Sequence, residues 1–315
     1  MPCISSSLRV ATAAFLLPIL AVTPAFGWGS DGHKMINRLA GAALPSDVPA
    51  FLRSPEALDA LAYFGPEPDR WRSQAEPELN AAQSPEHFID LEWADLAGPL
   101  PRRRYDFVRA LAAAQTAHTD IPLTPEKVGL QPYVTVEVYE RLKAAMREYR
   151  GLKAANADTK PVEGEIVFLA GWLGHYVGDG SMPLHTSIQY NGWTGPNPNG
   201  YTTEHHIHAL FESEYVAANV KPGDVAPLVA AKPTVLNDIF SDYVAYLRHS
   251  NTLVEKTYQL EKAGAFTGAG TPEGKMMVDE RLAAATTELR DIIYTAWVKS
   301  GDPVPQYHPE KPAAK

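Results

Sequence analysis

The chain has 315 residues, 45% of them hydrophobic, and its 37 acidic against 28 basic side chains give a formal charge of −9. A balance this negative argues against holding long nucleic acid on a broad basic surface, while leaving room for a small positive cleft. The single cysteine, Cys3, lies in a leader that the mature protein is expected to lose, so neither disulfides nor thiolate ligands are expected.

Residues 1–27 read as an export signal. Arg9 precedes an apolar run from Val10 to Val22, and Ala25-Phe26-Gly27 offers small residues for cleavage. The run is shorter than the ~20 apolar residues a membrane span needs and contains Pro18, and no later segment reads as transmembrane. The mature chain is expected to begin at Trp28, to be exported to the periplasm or the exterior, and to be one unit more negative for the loss of Arg9. Residues 28–300 are expected to form a single domain with a large core, acting as a monomer.

From Trp28 onward the pattern is chiefly helical. Met35, Ile36, Leu39 and Ala40 recur at helical spacing, with Asp31 as a cap and Pro45 as a stop. Helices are predicted over 103–118 and 134–150, the second with Val134, Val138, Leu142 and Met146 in one stripe. The segment 162–178 is more apolar, carrying Ile166, Val167, Leu169, Ala170 and Leu173, and reads as the central helix of a bundle. Further helices are predicted over 204–219, 233–261 with a break, and 273–299. Loops are predicted at 62–86, 119–132 and 189–203, the last carrying Tyr190, Trp193 and Tyr201 among Pro, Gly and Asn. Residues 301–315, with four prolines, read as a loose tail.

The chemistry concentrates in two stretches that hold five of the ten histidines, G-W-L-G-H-Y-V-G-D-G-S-M-P-L-H (171–185) and H-H-I-H-A-L-F-E (205–212). His175 and Asp179 stand four apart on a helix and project from one face; Pro183 then stops the helix and His185 approaches from the turn. His208 and Glu212 repeat the four-residue spacing. A lone histidine on an apolar helix is more often a hydrogen-bonded core residue, but two such pairs with His185 point to metal ligation. Zinc accepts both imidazole nitrogen and carboxylate oxygen. Asp179 in an apolar helix is costly to bury unpaired, and no Lys or Arg of that helix stands ready to pair with it, so a cation is the expected partner. His33, His87 in P-E-H-F-I-D, and Asp69 with Arg72 in P-D-R-W-R are further candidates.

Taken together, W-G-S-D-G-H (28–33), H-F-I-D (87–90), H-x-x-x-G-D-x-x-x-P-L-H (175–185) and H-x-x-x-E (208–212) resemble the superfamily of S1/P1-type nucleases and zinc-dependent phospholipases C. The resemblance implies an all-α, multi-helix fold with long loops and three zinc ions in one cleft. It implies that the free amine and carbonyl of Trp28 bind one zinc with His33, and that Asp179 bridges it to a second held by Asp69, His87 and His175. It assigns His185, His208 and Glu212 to the third. The expected activity is hydrolysis of phosphodiesters by metal-activated hydroxide, with Asp69 also orienting or deprotonating the nucleophile and Arg72 contacting phosphate. W-G-x-x-G-H and D-x-x-R resemble the nuclease branch and imply single-stranded nucleic acid or a nucleotide as substrate. Glu212, where nucleases usually place Asp, resembles the phospholipase branch and a phospholipid head group at a membrane surface. A third reading is a secreted protein that binds zinc for stability alone.

Overall fold

The structure, a computed structural model, describes residues 28–304; the predicted export signal lies outside the described residues, as does most of the predicted tail. The chain opens with α1 (Gly29–Ala42), then α2 (Pro55–Phe64), whose N-terminus is capped by the Ser54 hydroxyl accepting from Ala57 N. Short helices α3 (Glu67–Trp71), α4 (Pro77–Gln83), α5 (Leu91–Ala94), α6 (Arg104–Ala114) and α7 (Pro125–Val128) follow. The long pair α8 (Gln131–Ala154) and α9 (Lys160–Ser181) comes next. Beyond it are α10 (Ile207–Ala209), α11 (Tyr215–Asn219), α12 (Pro222–Val225), α13 (Ile239–Asn251), α14 (Val254–Lys262) and α15 (Pro272–Lys299). Only two isolated β-bridges, Ile89 with Gly129 and Tyr190 with Gly192, interrupt the helical architecture among the described residues, so the fold is all-α as expected.

Helix α9 is the axis. It packs against α1, α2, α8, α13 and α15, and from Leu169 to Ser181 every residue except Trp172 is buried. A helix apolar on all sides can be satisfied only at the centre of a bundle. The predicted stripe of α8, Val134, Val138, Leu142 and Met146, is buried along with it.

How closely α1 approaches α9 is set by glycine. A Cβ on Gly174 would fall 1.8 Å from Asn37 Oδ1, and one on Gly178 would fall 2.9 Å from His33 Nδ1. The space left by the missing methyls lets Asn37 Nδ2 donate to Leu61 O and Gly171 O, both at 2.9 Å, clasping α1, α2 and α9 together. That clasp lies one helical turn from His33, so the same close approach carries His33 to the face of α9 that bears Asp179.

Several local expectations are revised. Asp31 stands in the first turn of α1 rather than at its cap, which is Trp28 in left-handed backbone at φ 33°. The segment 62–86 is not one loop: α3 and α4 occupy much of it, each with proline at its first turn, where the missing N–H costs nothing. Helix 103–118 shortens to α6, while α8 and α9 run past their predicted ends. The segment 233–261 is helical only from Ile239, with its break between Asn251 and Val254. Within 204–219 the backbone widens into a π-helical turn at Leu210–Glu214.

Candidate metal centre

Five parts of the chain deliver the predicted side chains to one end of α9. His175 and Asp179 lie one turn apart on α9, and a 3-10 turn at Pro183–Thr186 folds His185 back beside them. Ile89 N donates to His185 O at 2.9 Å, tying that turn to the segment that carries His87. Asp69 comes from α3, His33 from α1, and His208 and Glu212 from α10 and the π-helical turn. π-Helical turns frequently occur at functional sites, and here one, Leu210–Glu214, carries Glu212. Trp28 is fully buried; its indole Nε1 donates to Gly178 O at 2.7 Å and Ser181 Oγ at 2.8 Å, and its backbone N donates to Glu212 Oε2 at 3.1 Å.

Asp179 sits at the junction. Its Oδ1 is 3.3 Å from His33 Nε2, while Oδ2 is 3.2 Å from His87 Nδ1 and 3.3 Å from His175 Nε2. Asp69 Oδ1 lies 3.7 Å from His87 Nδ1 and 3.8 Å from His175 Nε2. On the other side Glu212 Oε2 is 3.2 Å from His208 Nε2 and 3.5 Å from His185 Nε2. The donor atoms fall into three groups able to hold a metal ion: His33 with Asp69 and His175, His87 with His175 and Asp179, and His185 with His208 and Glu212. His175 belongs to two groups, so the first two adjoin.

The imidazoles are oriented from behind. Nδ1 of His175 donates to Gly65 O at 2.9 Å, that of His185 to His87 O at 2.7 Å, and that of His208 to Tyr190 O at 2.9 Å. Each bond holds a proton on Nδ1 and turns Nε2 toward the cleft, so that the neutral ring would offer its lone pair there, the arrangement that metal-ligating histidines almost always have.

The charges in the cleft do not balance within the protein. Burial opposes the charge on Asp179, yet His175 and His185 facing it hold its carboxyl well below the usual carboxylate range. Burial pushes the Asp69 carboxyl up, and the nearby Asp179 and Glu212 carboxylates add to the rise. Burial holds His87 well below the ordinary imidazole range, whereas His185 is pushed up to about 9 because Asp179 and Glu212 outweigh its burial. Buried polar atoms with no hydrogen-bond partner gather here: both ring nitrogens of His33, both oxygens of Asp69, Asp179 Oδ1, His185 Nε2 and Glu212 Oε1. Buried polar atoms are ordinarily paired, so a cluster of unpaired acceptors with convergent lone pairs fits a bound cation. Imidazole nitrogen with carboxylate oxygen, and no thiolate, suits zinc or a related divalent ion.

The structure thus brings Trp28, His33, Asp69, His87, His175, Asp179, His185, His208 and Glu212 into one cleft. It sets the Trp28 nitrogen against Glu212, on the His185 side, and sets Asp69 near His33 as well as His87. Arg72 stands at the edge, partly exposed, with Nη1 3.8 Å from Asp69 Oδ1. The aromatic loop is largely turned inward: Trp193 and Tyr201 pack on each other and on Tyr258, leaving Tyr190 exposed beside His208. One residue was missed. Asp90 is buried three positions after His87, near His185, and burial pushes its carboxyl up to about 8. The signal was present in H-F-I-D, an acidic residue closing an apolar run.

Fold and cleft define an all-α protein with a buried, three-cluster candidate metal centre. No protein-family model and no curated protein matches the chain. Among solved structures it is similar to the alpha-toxin of Clostridium perfringens from avian strain SWCP, at 14% identity and a TM-score of 0.41, covering 86% of this chain and 65% of the toxin. It is also similar to the alpha toxin of Clostridium absonum, at 12% identity and a TM-score of 0.39, covering 88% of this chain and 67% of that one. The chain therefore spans just under two thirds of the length of the first. No helix among the described residues is long and apolar enough to cross a membrane.

Proposed function

We propose that the chain is a zinc-dependent phosphodiesterase of S1/P1-nuclease type, acting on single-stranded nucleic acid. The observation that carries this reading is the division of labour at Asp179, one oxygen toward His33 and the other toward His87 and His175. A carboxylate that only paired with a single histidine would have no need of two facing sets.

On this reading Trp28, His33 and Asp179 would hold one zinc, Asp69, His87 and His175 with Asp179 a second, and His185, His208 and Glu212 a third. Zinc in such a site lowers the pKa of a coordinated water and offsets the charge gathered on phosphorus. The protein's own contribution is placement and proton handling. The backbone carbonyls of Gly65, His87 and Tyr190 hold a proton on Nδ1 of His175, His185 and His208 and aim each Nε2 inward. Asp69, beside His87 and His175, would orient an attacking water or accept its proton. Arg72, partly exposed beside it, presents a guanidinium to a phosphate oxygen at the cleft mouth.

A phospholipase C reading is favoured by Glu212 in place of aspartate and by exposed Tyr190 next to His208. Parallel assays on single-stranded DNA and on phosphatidylcholine separate the two. Nucleic-acid cleavage without lipid hydrolysis is expected, and the reverse would overturn the nuclease reading. Metal analysis of protein starting at Trp28 should give three zinc ions per chain. A folded, zinc-loaded protein inactive on both substrates would point to a metal site kept for stability alone. Export to the periplasm or exterior and a monomeric state belong to the same proposal, tested by fractionation, N-terminal sequencing and light scattering.

A further inference from the structure

Asp179 stands between two glycines, and each of them admits a different helix to α9. A Cβ on Gly178 would press on His33 of α1, 2.9 Å from its Nδ1. A Cβ on Gly180 would fall 2.6 Å from the Tyr243 hydroxyl, 2.9 Å from Leu247 Cδ2 and 3.1 Å from Tyr246 Cε1, all three on α13. The first glycine brings a candidate ligand to Asp179. The second brings two tyrosines from a helix that supplies no ligand at all.

Both hydroxyls go to the backbone of the turn that carries Asp179. Tyr243 OH donates to Tyr176 O at 2.8 Å, and Tyr246 OH donates to Val177 O at 3.0 Å. Gln131 Nε2 of α8 joins them on Tyr176 O at 3.0 Å, while Trp28 Nε1 and Ser181 Oγ donate to Gly178 O. Three successive carbonyls between His175 and Asp179 thus accept from side chains. A carbonyl inside a helix already has a partner in the N–H four residues on, so the donors to Tyr176 O and Val177 O are additional to the helical ladder. They also act where a carboxylate is least at ease. Asp179 lies in the last turn of α9, the negative end of the helix dipole, and donors placed on the carbonyls beneath it offset that charge.

We infer that Tyr243 and Tyr246 are positioning residues for Asp179. Their hydroxyls hold the last turn of α9 where one carboxylate oxygen meets His33 and the other meets His87 and His175. The inference rests on the reading of the cleft as a metal centre and extends that centre to α13. A carboxylate shared between two ions tolerates little displacement, and the groups behind metal ligands commonly set affinity by 10- to 100-fold.

Chelator competition on the zinc-loaded protein measures that affinity apart from any activity. Tyr243→Phe and Tyr246→Phe each remove one hydroxyl and keep the ring, and each should weaken zinc binding by about ten-fold or more. Tyr246 is the less buried of the two, so its variant decides the matter if Tyr243→Phe fails to fold. Tyr133→Phe is the control, because its hydroxyl makes a bond of the same kind, to Pro101 O at 3.0 Å, away from the last turn of α9. It should lower the melting temperature of the metal-free protein, as any lost buried hydrogen bond does, and leave zinc affinity at the parent value. Parent-like zinc affinity in either α13 variant, or an equal fall in Tyr133→Phe, would overturn the inference and leave the metal centre standing. A parent protein that takes up no zinc would overturn the metal reading and this inference together.

Discussion

Trp28 and Glu212, 184 residues apart in sequence, are joined by a 3.1 Å hydrogen bond from the tryptophan backbone nitrogen to the carboxylate. A chain that starts at Trp28 has a free amine at that position, and a chain that starts at Gly27 has an amide, which is a far poorer ligand. The Gly27 form is expected to hold less metal and to turn over phosphodiester about ten-fold more slowly, or worse. Metal analysis and rate measurements on the two forms check this, and equal values would remove Trp28 from the ligand set.

Asp179→Asn keeps the size of the side chain and removes the charge shared between the His33 and His87–His175 sides. Loss of at least one zinc, a fall in turnover of about 100-fold and a lower melting temperature are expected, since metal binding is folding free energy. Full occupancy with near-normal turnover would reduce Asp179 to a core hydrogen-bonding residue.

Arg72→Ala should leave the metal content unchanged while lowering kcat/KM by about 10- to 100-fold, the worth of one charged contact with phosphate. A proportionate loss of zinc would instead mean that Arg72 acts by holding Asp69 in place.

Gly174→Ala drives a methyl into Asn37 Oδ1 and breaks the clasp among α1, α2 and α9. Neither partner is the free end of a flexible chain, so a cost of at least about 2 kcal/mol is expected in denaturant unfolding.

Glu288 gives stability a pH dependence of its own. Burial, with Asp291 and Asp242 nearby, raises its carboxyl from 4.5 to about 8, and its Oε1 meets no donor. Between these values the folded chain keeps a proton that the unfolded chain has lost. This contribution to stability is complete below 4.5 and disappears as pH rises through about 8. Glu288→Gln should therefore gain on the parent protein as pH rises, by at least about 3 °C in melting temperature between pH 5 and pH 8.5. A gap that does not change with pH would contradict the shift.

Periodicity made α1, α8 and α9 legible in the sequence, because burying a stripe or a whole surface leaves a pattern that survives without coordinates. The spacing of His175 with Asp179 and of His208 with Glu212 was legible for the same reason. Helices α3 and α4 were hidden because Pro68 and Pro77 read as turn residues, although proline at the first helical turn starts a helix as readily as it ends one. The grouping of the ligands could not be read from spacing at all. Whether His33 faces Asp69 or Asp179 depends on how deeply α1 sinks into α9 at Gly174, a tertiary distance that no local pattern encodes. Asp90 stands in H-F-I-D, but the spacing alone does not tell that its carboxyl is buried near His185.

With Cys3 as its single cysteine, the chain cannot staple itself with an internal disulfide. The contacts at Asp179 take over that topological role: His87 and Asp179 are 92 residues apart, His87 and His175 are 88 apart. An ion gripped by both ends of such a stretch closes a ring of chain. Unlike a disulfide, such an ion leaves when the chain unfolds, so it stabilises by binding the folded chain alone, by about 2.7 kcal/mol for a site whose free metal stands at 100 times its dissociation constant. The same ions that would serve catalysis would then act as reversible cross-links, opened by a chelator rather than a reductant, so the protein's resistance to unfolding would depend on how much free metal surrounds it.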